Sequence, residues 1–403
     1  MTNGQSSWVD GAPGSAYDLD NLPYGVFSRP GEGPRVGVRI GDFVLDASRV
    51  AALGGDPGDG PHLAAVWAQP SLNAFLGLGR PAWKIAREWL VEVLSNDVHA
   101  RRTAPHLVRV GEVTSHLPFE VADYVDFYCS LQHATNVGRI FRPDGEALLP
   151  NWRHLPVGYH GRAGTVVVSG TPVRRPSGQR KAPDQPAPTY GPSQRLDIEA
   201  ELGFVVGVPS RLGEPIAVHD FAEHVFGVVP LNDWSARDIQ AWEYVPLGPF
   251  LAKSFATSIS AWVTPLAALD AARVDLPGQD PAVLPYLQGG SGYDVDFEVL
   301  LNGQVVSRPP YASMYWSPAQ MLAHLSVNGA STRTGDLFAS GTISGDERDQ
   351  RGSFLELSWG GTEPFGDGHT FLRDGDVVTL RATAPGAYGG RIALGEVTGT
   401  VVP

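Results

Sequence analysis

Cysteine is nearly missing from this chain: Cys129 stands alone among 403 residues, so no internal disulfide is available. With one thiol beside eleven histidines, a structural zinc cluster is not expected either. Charge is sparse as well, at 18% of residues, and the balance is acidic, with a net charge of −13 and no long basic run. That argues against a nucleic-acid or anionic-membrane partner. No apolar run approaches the roughly 20 residues a membrane helix needs. The opening residues MTNGQSSWVDG have neither a basic n-region nor an apolar h-region, so a cytoplasmic protein is expected.

Glycine and proline, by contrast, are plentiful, at 48 and 34 residues, which favours short strands joined by many turns. A mainly β, α+β fold follows, and at 403 residues with 42% hydrophobic side chains the chain can fill more than one core. Residues 1–118 read as a separate N-terminal unit. In it RVGVRIGDFVLDAS is a hairpin turning at Gly41-Asp42, and PAWKIAREWLVEVL is a helix with Pro81 at its first position. Trp83, Ala86, Leu90, Val93 and Leu94 recur at helical spacing there and form a core stripe. This unit carries no catalytic constellation, and scaffolding or subunit contact is its expected role.

The polar residues gather in 119–403. DYVDFYCS alternates as a strand, with Tyr124, Asp126 and Tyr128 on one face, and the helix-like LQHATNVGRIFR then places His133 and Arg142. Tyr159 and His160 sit in a Pro/Gly-rich loop, and residues 171–195 form a proline-rich excursion read as an ordered surface or dimer-contact loop. LDIEAELGFVVGV reads as one strand with Asp197, Glu199 and Glu201 on one face, where like charges repel unless a cation or partner relieves them. Val225 to Leu231 is a strand, Asn232 or Asp233 an N-cap, and WSARDIQAW a helix presenting Asp233, Arg237 and Gln240 together. Phe250 to Phe255 resumes as a strand-like run carrying Lys253. Asn302-Gly303 marks a hairpin, Ser317-Pro318 opens a helix, and Glu356 alternates with Leu355 and Leu357 as if on a strand.

Asp126, Glu199, Glu201 and Asp233 are hard oxygen donors without a soft companion, so Ca²⁺ or Mg²⁺ is the chemical match. His133 suits a general base with Glu356 fixing its tautomer, and Arg237, Gln240 and Lys253 are donors suited to an oxyanion. Each group also has a plain structural reading: a solvated acidic face for the strand carboxylates, a helix-surface ion pair for Asp233 and Arg237, a structural donor for His133 and an outward strand face for Glu356.

NLPYGVFS, DFYCSLQHATNVGRIFRP, LPVGYHGR, LDIEAELGF, LNDWSARDIQAWEYVPLGPFLAKSF, ASGTISG and LELSW, in this order, resemble the blocks of the fumarylacetoacetate hydrolase family over nearly the whole chain. The resemblance implies a homodimer of two-domain subunits, with an N-terminal SH3-like β-barrel in 1–118 and a larger mixed β-roll catalytic domain in 119–403. It implies metal-dependent hydrolysis of a C–C bond of 4-fumarylacetoacetate to fumarate and acetoacetate, the last step of tyrosine and phenylalanine catabolism. It places the metal ligands on Asp126, Glu199, Glu201 and Asp233, the dyad on His133 and Glu356, and the oxyanion donors on Arg237, Gln240 and Lys253. Contacts to the dicarboxylate diketo substrate fall on Tyr128, Arg142, Tyr159, Tyr244 and Thr342. A candidate second cation falls at Lys253, Ala256 and Thr257, where the family usually has glycine in place of Ala256. The alternatives are another superfamily reaction on 2-oxo or diketo acids (acylpyruvate hydrolysis, decarboxylation or hydration) and a non-enzymatic calcium-binding β protein. Release of fumarate separates the first from hydrolysis, and metal binding without turnover marks the second.

Overall fold

Sheet dominates the computed structural model, which describes residues 6–54, 62–182 and 184–403. The first five residues of the opening stretch MTNGQSSWVDG lie outside that range, as does Pro183 in the proline-rich excursion. Among the described residues, no helix is long and apolar enough to cross a membrane.

One large mixed sheet runs through the molecule. From one edge its order is Leu107–Arg109, Phe43–Asp46, Arg35–Ile40, Tyr24–Ser28, Trp262–Pro265, Val225–Asp233, Ala200–Val206, Leu337–Ala339, Tyr124–Phe127 and Gly158–His160. The expected hairpin turns at Gly41-Asp42. The N-terminal strands do not close into a barrel among the described residues: Tyr24–Ser28 pairs onward with Trp262–Pro265 and carries the sheet into the rest of the chain. A second sheet orders Gln304–Ser307, Asp296–Leu301, Val377–Pro385, Arg391–Val402 and Val173–Arg174. Its tight hairpin rests on Asn302 and Gly303, both at positive φ (52° and 82°), the conformation a two-residue primed turn demands. The mixed, sheet-dominated architecture agrees with the α+β expectation.

The helix Arg80–Ser95 buries Trp83, Ala86, Leu90, Val93 and Leu94 as its spacing predicts, with Pro81 in its first turn. Helix Leu131–Phe141 begins where Ser130 Oγ accepts the His133 amide, and Pro318–Ser326 begins with a capping box between Ser317 and Gln320.

Four local expectations are corrected. The acidic strand is broken, into Leu196–Asp197 and Ala200–Val206, because Asp197 turns to cap the amides of Phe354 and Leu355. Asp233 is the last residue of strand Val225–Asp233, not a helix cap, and the helix Arg237–Glu243 starts after a further short strand, Ser235–Ala236. The Phe250 to Phe255 run forms turns, with its amides at Phe250 and Ala252 taken by Glu243 rather than by a neighbouring strand. Glu356 belongs to a one-turn helix, Phe354–Leu357, and not to a strand.

Candidate active site

The central strands deliver four carboxylates to one point. Asp126 comes from Tyr124–Phe127, Glu201 from Ala200–Val206, Asp233 from the end of Val225–Asp233, and Glu199 from the break before Ala200. One oxygen of each lies within 4.8 Å of the others, and all four residues are buried. Like charges so close in a dry environment need compensation. Burial, and then Asp233, push the Asp126 carboxyl well above its usual range; burial, and then Asp126, do the same to Glu201. Asp233 is also raised by burial, against the opposing pull of Lys253. Glu199 is the exception: burial opposes its charge, but Lys253 and Arg237 together hold it below the usual range.

Those two cations complete one side of the cluster. Lys253 Nζ donates to Glu199 Oε2 at 2.5 Å and to Asp233 Oδ2 at 2.8 Å. Arg237 donates through Nε to Asp197 Oδ2 at 2.8 Å and through Nη1 to Gln240 Oε1 at 3.1 Å, with Nη1 2.7 Å from Glu199 Oε1. Asp233 also accepts from Tyr159 Oη at 3.2 Å and Thr257 Oγ1 at 3.3 Å. The other side of the cluster is left open: Asp126 Oδ1 and both Glu201 carboxylate oxygens are buried without a hydrogen-bond partner. Orphaned hard oxygens facing one another fit a divalent cation of the calcium or magnesium type.

The second constellation faces the same space. His133 Nδ1–H donates to Glu356 Oε2 at 2.6 Å, which leaves Nε2 as the free nitrogen. Glu356 is held in turn by Asn136 Nδ2 at 3.0 Å, Ser344 Oγ at 3.0 Å and Ser353 Oγ at 2.8 Å. Burial opposes its charge, but His133 and these donors keep it below the usual carboxylate range, so it stays ionised. The Tyr128 ring meets the imidazole edge to face at 5.3 Å.

A cavity of about 490 Å³ joins these groups. Asp126, Glu199, His133, Arg237, Gln240 and Lys253 line it, together with all five expected substrate contacts: Tyr128, Arg142, Tyr159, Tyr244 and Thr342. Glu201, Asp233 and Glu356 stand one layer behind. Within that lining Arg142 Nε, Thr342 Oγ1 and Arg237 Nη2 are buried donors without a partner. Gly341 sets the approach of Thr342: it has φ 72°, and a Cβ there would run into the Phe127 carbonyl oxygen. Ala256 is not among the positive-φ residues, so alanine is unstrained there.

Sequence reasoning overlooked Asp197 as the anchor of Arg237, and Asn136, Ser344 and Ser353 as the holders of Glu356. Two signals were legible. Asn136 lies three residues after His133 on one helix, and Ser353-Phe-Leu-Glu356 has the S-x-x-E spacing of a capped helix start.

Family models match both parts of the chain: fumarylacetoacetate hydrolase C-terminal over residues 123–402, and fumarylacetoacetase N-terminal over residues 20–118. The chain is 50% identical to the fumarylacetoacetase of Homo sapiens, with 98% of this chain and 99% of that protein covered. It is 46% identical to that of Caenorhabditis elegans over 98% and 99%, and 44% identical to that of Arabidopsis thaliana over 98% and 98%. Among solved structures, a fumarylacetoacetate hydrolase from psychrophilic Exiguobacterium antarcticum superposes with a TM-score of 0.57 at 18% identity, covering 94% of this chain and 99% of its own. That likeness concerns the fold.

Proposed function

Because the chain belongs to the fumarylacetoacetate hydrolase family, and is accordingly a hydrolase acting on carbon–carbon bonds, we propose that it cleaves 4-fumarylacetoacetate to fumarate and acetoacetate in a metal-dependent reaction, the last step of tyrosine and phenylalanine catabolism. One observation carries the reading: a single cavity is lined both by His133, backed by the ionised Glu356, and by two carboxylates of the buried acidic quartet.

A 1,3-diketone breaks between its carbonyls when water adds to one and the other accepts the electron pair as an enolate. His133 Nε2 takes the proton of the attacking water, and Glu356 holds the imidazole in the tautomer that leaves this nitrogen free. Arg237, Gln240 and Lys253 supply hydrogen-bond donors to the oxyanion. Arg142, with its unpartnered Nε, and the hydroxyls of Tyr128, Tyr159, Tyr244 and Thr342 bind the substrate's carboxylates and oxygens, which reconciles a dianionic substrate with an acidic protein. Asp126, Glu199, Glu201 and Asp233 would hold Ca²⁺ or Mg²⁺, which when bound supplies Lewis-acid polarisation of a substrate carbonyl. A second cation at Lys253, Ala256 and Thr257 belongs to the same proposal, as do a cytoplasmic homodimer and a division into residues 1–118 and 119–403, the latter with the β-roll. The testing experiment is product analysis: the purified, metal-loaded protein given fumarylacetoacetate should release fumarate and acetoacetate in equal amounts, and decarboxylated or hydrated products would contradict it.

A further inference from the structure

Phe141 and Arg237 line not only the catalytic cavity but also a second one, of about 740 Å³. Four more cations line this second cavity, Arg139, Arg180, Lys181 and Arg195, against a single carboxylate, Asp238. Asp238 is already occupied, accepting from Ser193 Oγ at 2.6 Å and the Gln194 amide at 2.8 Å, and stands 3.8 Å from Arg180 Nη1. Arg237 is already paired with Asp197 and Glu199, and Asp238 offsets one of the other four, so the cavity keeps a local excess of positive charge in a protein of net charge −13.

Arg180 has a donor to spare, and Arg237, which borders both cavities, has one that either could take. Arg180 Nε is buried without a hydrogen-bond partner, and so is Nη2 of Arg237, a residue only 3% exposed. A buried guanidinium N–H left unpaired is costly unless a ligand takes it. The rest of the lining includes Ile140, Phe141, Leu355 and Trp359, an apolar wall that suits an organic anion better than inorganic phosphate. Trp359 is held at φ 44°, a strained setting for a bulky side chain of the kind that collects at ligand sites.

We propose that this second cavity is a binding site for a small organic polycarboxylate, separate from the catalytic cavity, and that Arg237 couples its occupancy to the reaction. A carboxylate drawn to Arg237 competes for the guanidinium whose Nη1 lies 2.7 Å from Glu199 and 3.1 Å from Gln240 in the catalytic cavity. Occupancy therefore loosens Glu199 and the oxyanion donors, and lowers kcat while substrate is still bound.

Succinate is the probe, since it has no diketone to cleave. With the full-length, metal-loaded protein, succinate should lower kcat as well as raise apparent KM, and calorimetry should count two succinates per chain. Arg180→Gln combined with Lys181→Gln should abolish the kcat effect and weaken one of the two sites at least ~10-fold. Basal kcat and KM should be unchanged. If that variant does not fold, Arg139→Glu with Arg195→Glu, both at exposed residues, carries the same expectation. Purely competitive inhibition with one succinate bound per chain overturns the proposal, as does a kcat effect that survives in the variants or is matched by equimolar phosphate. The calorimetric count needs no turnover, so it stands or falls apart from the assigned reaction.

Discussion

His133 Nδ1 and Glu356 Oε2 meet at 2.6 Å across 223 residues of chain, in a pocket where neither is more than 3% exposed. The contact fixes which imidazole nitrogen is free. His133→Ala should keep the fold and divalent-metal affinity while lowering kcat by at least ~10²-fold, the usual scale for a general base. Glu356→Gln should lower it less, because the amide still occupies the site but no longer favours the Nδ1–H tautomer. Steady-state kinetics beside a metal titration checks both, and near wild-type turnover in the histidine variant would reassign water activation.

The acidic quartet predicts a link between pH, metal and stability. Asp126, Glu201 and Asp233 are raised in the folded protein, so it retains protons that the unfolded chain releases near pH 4. The folded state then binds more protons than the unfolded, and the stability of the metal-free protein should fall as pH rises above about 4. Metal binding expels those protons, so the thermal shift given by Ca²⁺ or Mg²⁺ should grow over the same range. Glu201→Gln should raise the Tm of the metal-free protein and abolish the metal-induced shift. A shift equal to wild type in that variant would remove Glu201 from the site.

Lys253 is the cleanest probe of oxyanion binding. Lys253→Met keeps bulk and removes charge, and should cost about 10² to 10³ in kcat with substrate affinity little changed. Single-turnover kinetics separates this from a ground-state role, and an effect on KM alone would make Lys253 a substrate anchor.

Much of this site was legible in the sequence, because carboxylates on short apolar strands can be buried only beside a cation or a hydrogen-bonding partner. The four metal candidates and the residues lining the cavity stand together as the motif blocks implied. What failed was local geometry. Glu356 alternates with leucines and so imitates a strand, yet Ser353 starts a helix there and tertiary contacts to His133, Asn136 and Ser344 fix it. Asp197 shares the parity of Glu199 and Glu201 but leaves their face to take Arg237 and two backbone amides, partners that lie 40 and more residues away. That the N-terminal strands run on into the main sheet instead of closing a barrel was invisible to composition, since strand pairing between Tyr24–Ser28 and Trp262–Pro265 is a long-range event.

The Arg237–Asp197 pair should be structural as well as catalytic. Both side chains are almost fully buried, with Nε to Oδ2 at 2.8 Å, and removing one partner strands a charge. Asp197→Ala should therefore cost about 3 to 5 kcal/mol of stability in denaturant unfolding. It should also lower kcat by freeing Arg237. A loss well under ~1 kcal/mol would show that water or a neighbour replaces the carboxylate.

If the buried quartet holds the cation on which C–C hydrolysis depends, turnover must follow that cation on and off the protein. Fumarate release from fumarylacetoacetate should be followed with protein stripped by chelator, then with Ca²⁺ or Mg²⁺ restored, for wild type and for Asp126→Asn. Stripping should abolish turnover, restored cation should recover it in the wild type, and Asp126→Asn should stay inactive at cation levels that saturate the wild type. Undiminished fumarate release from the stripped wild-type protein would show that hydrolysis does not need the cation.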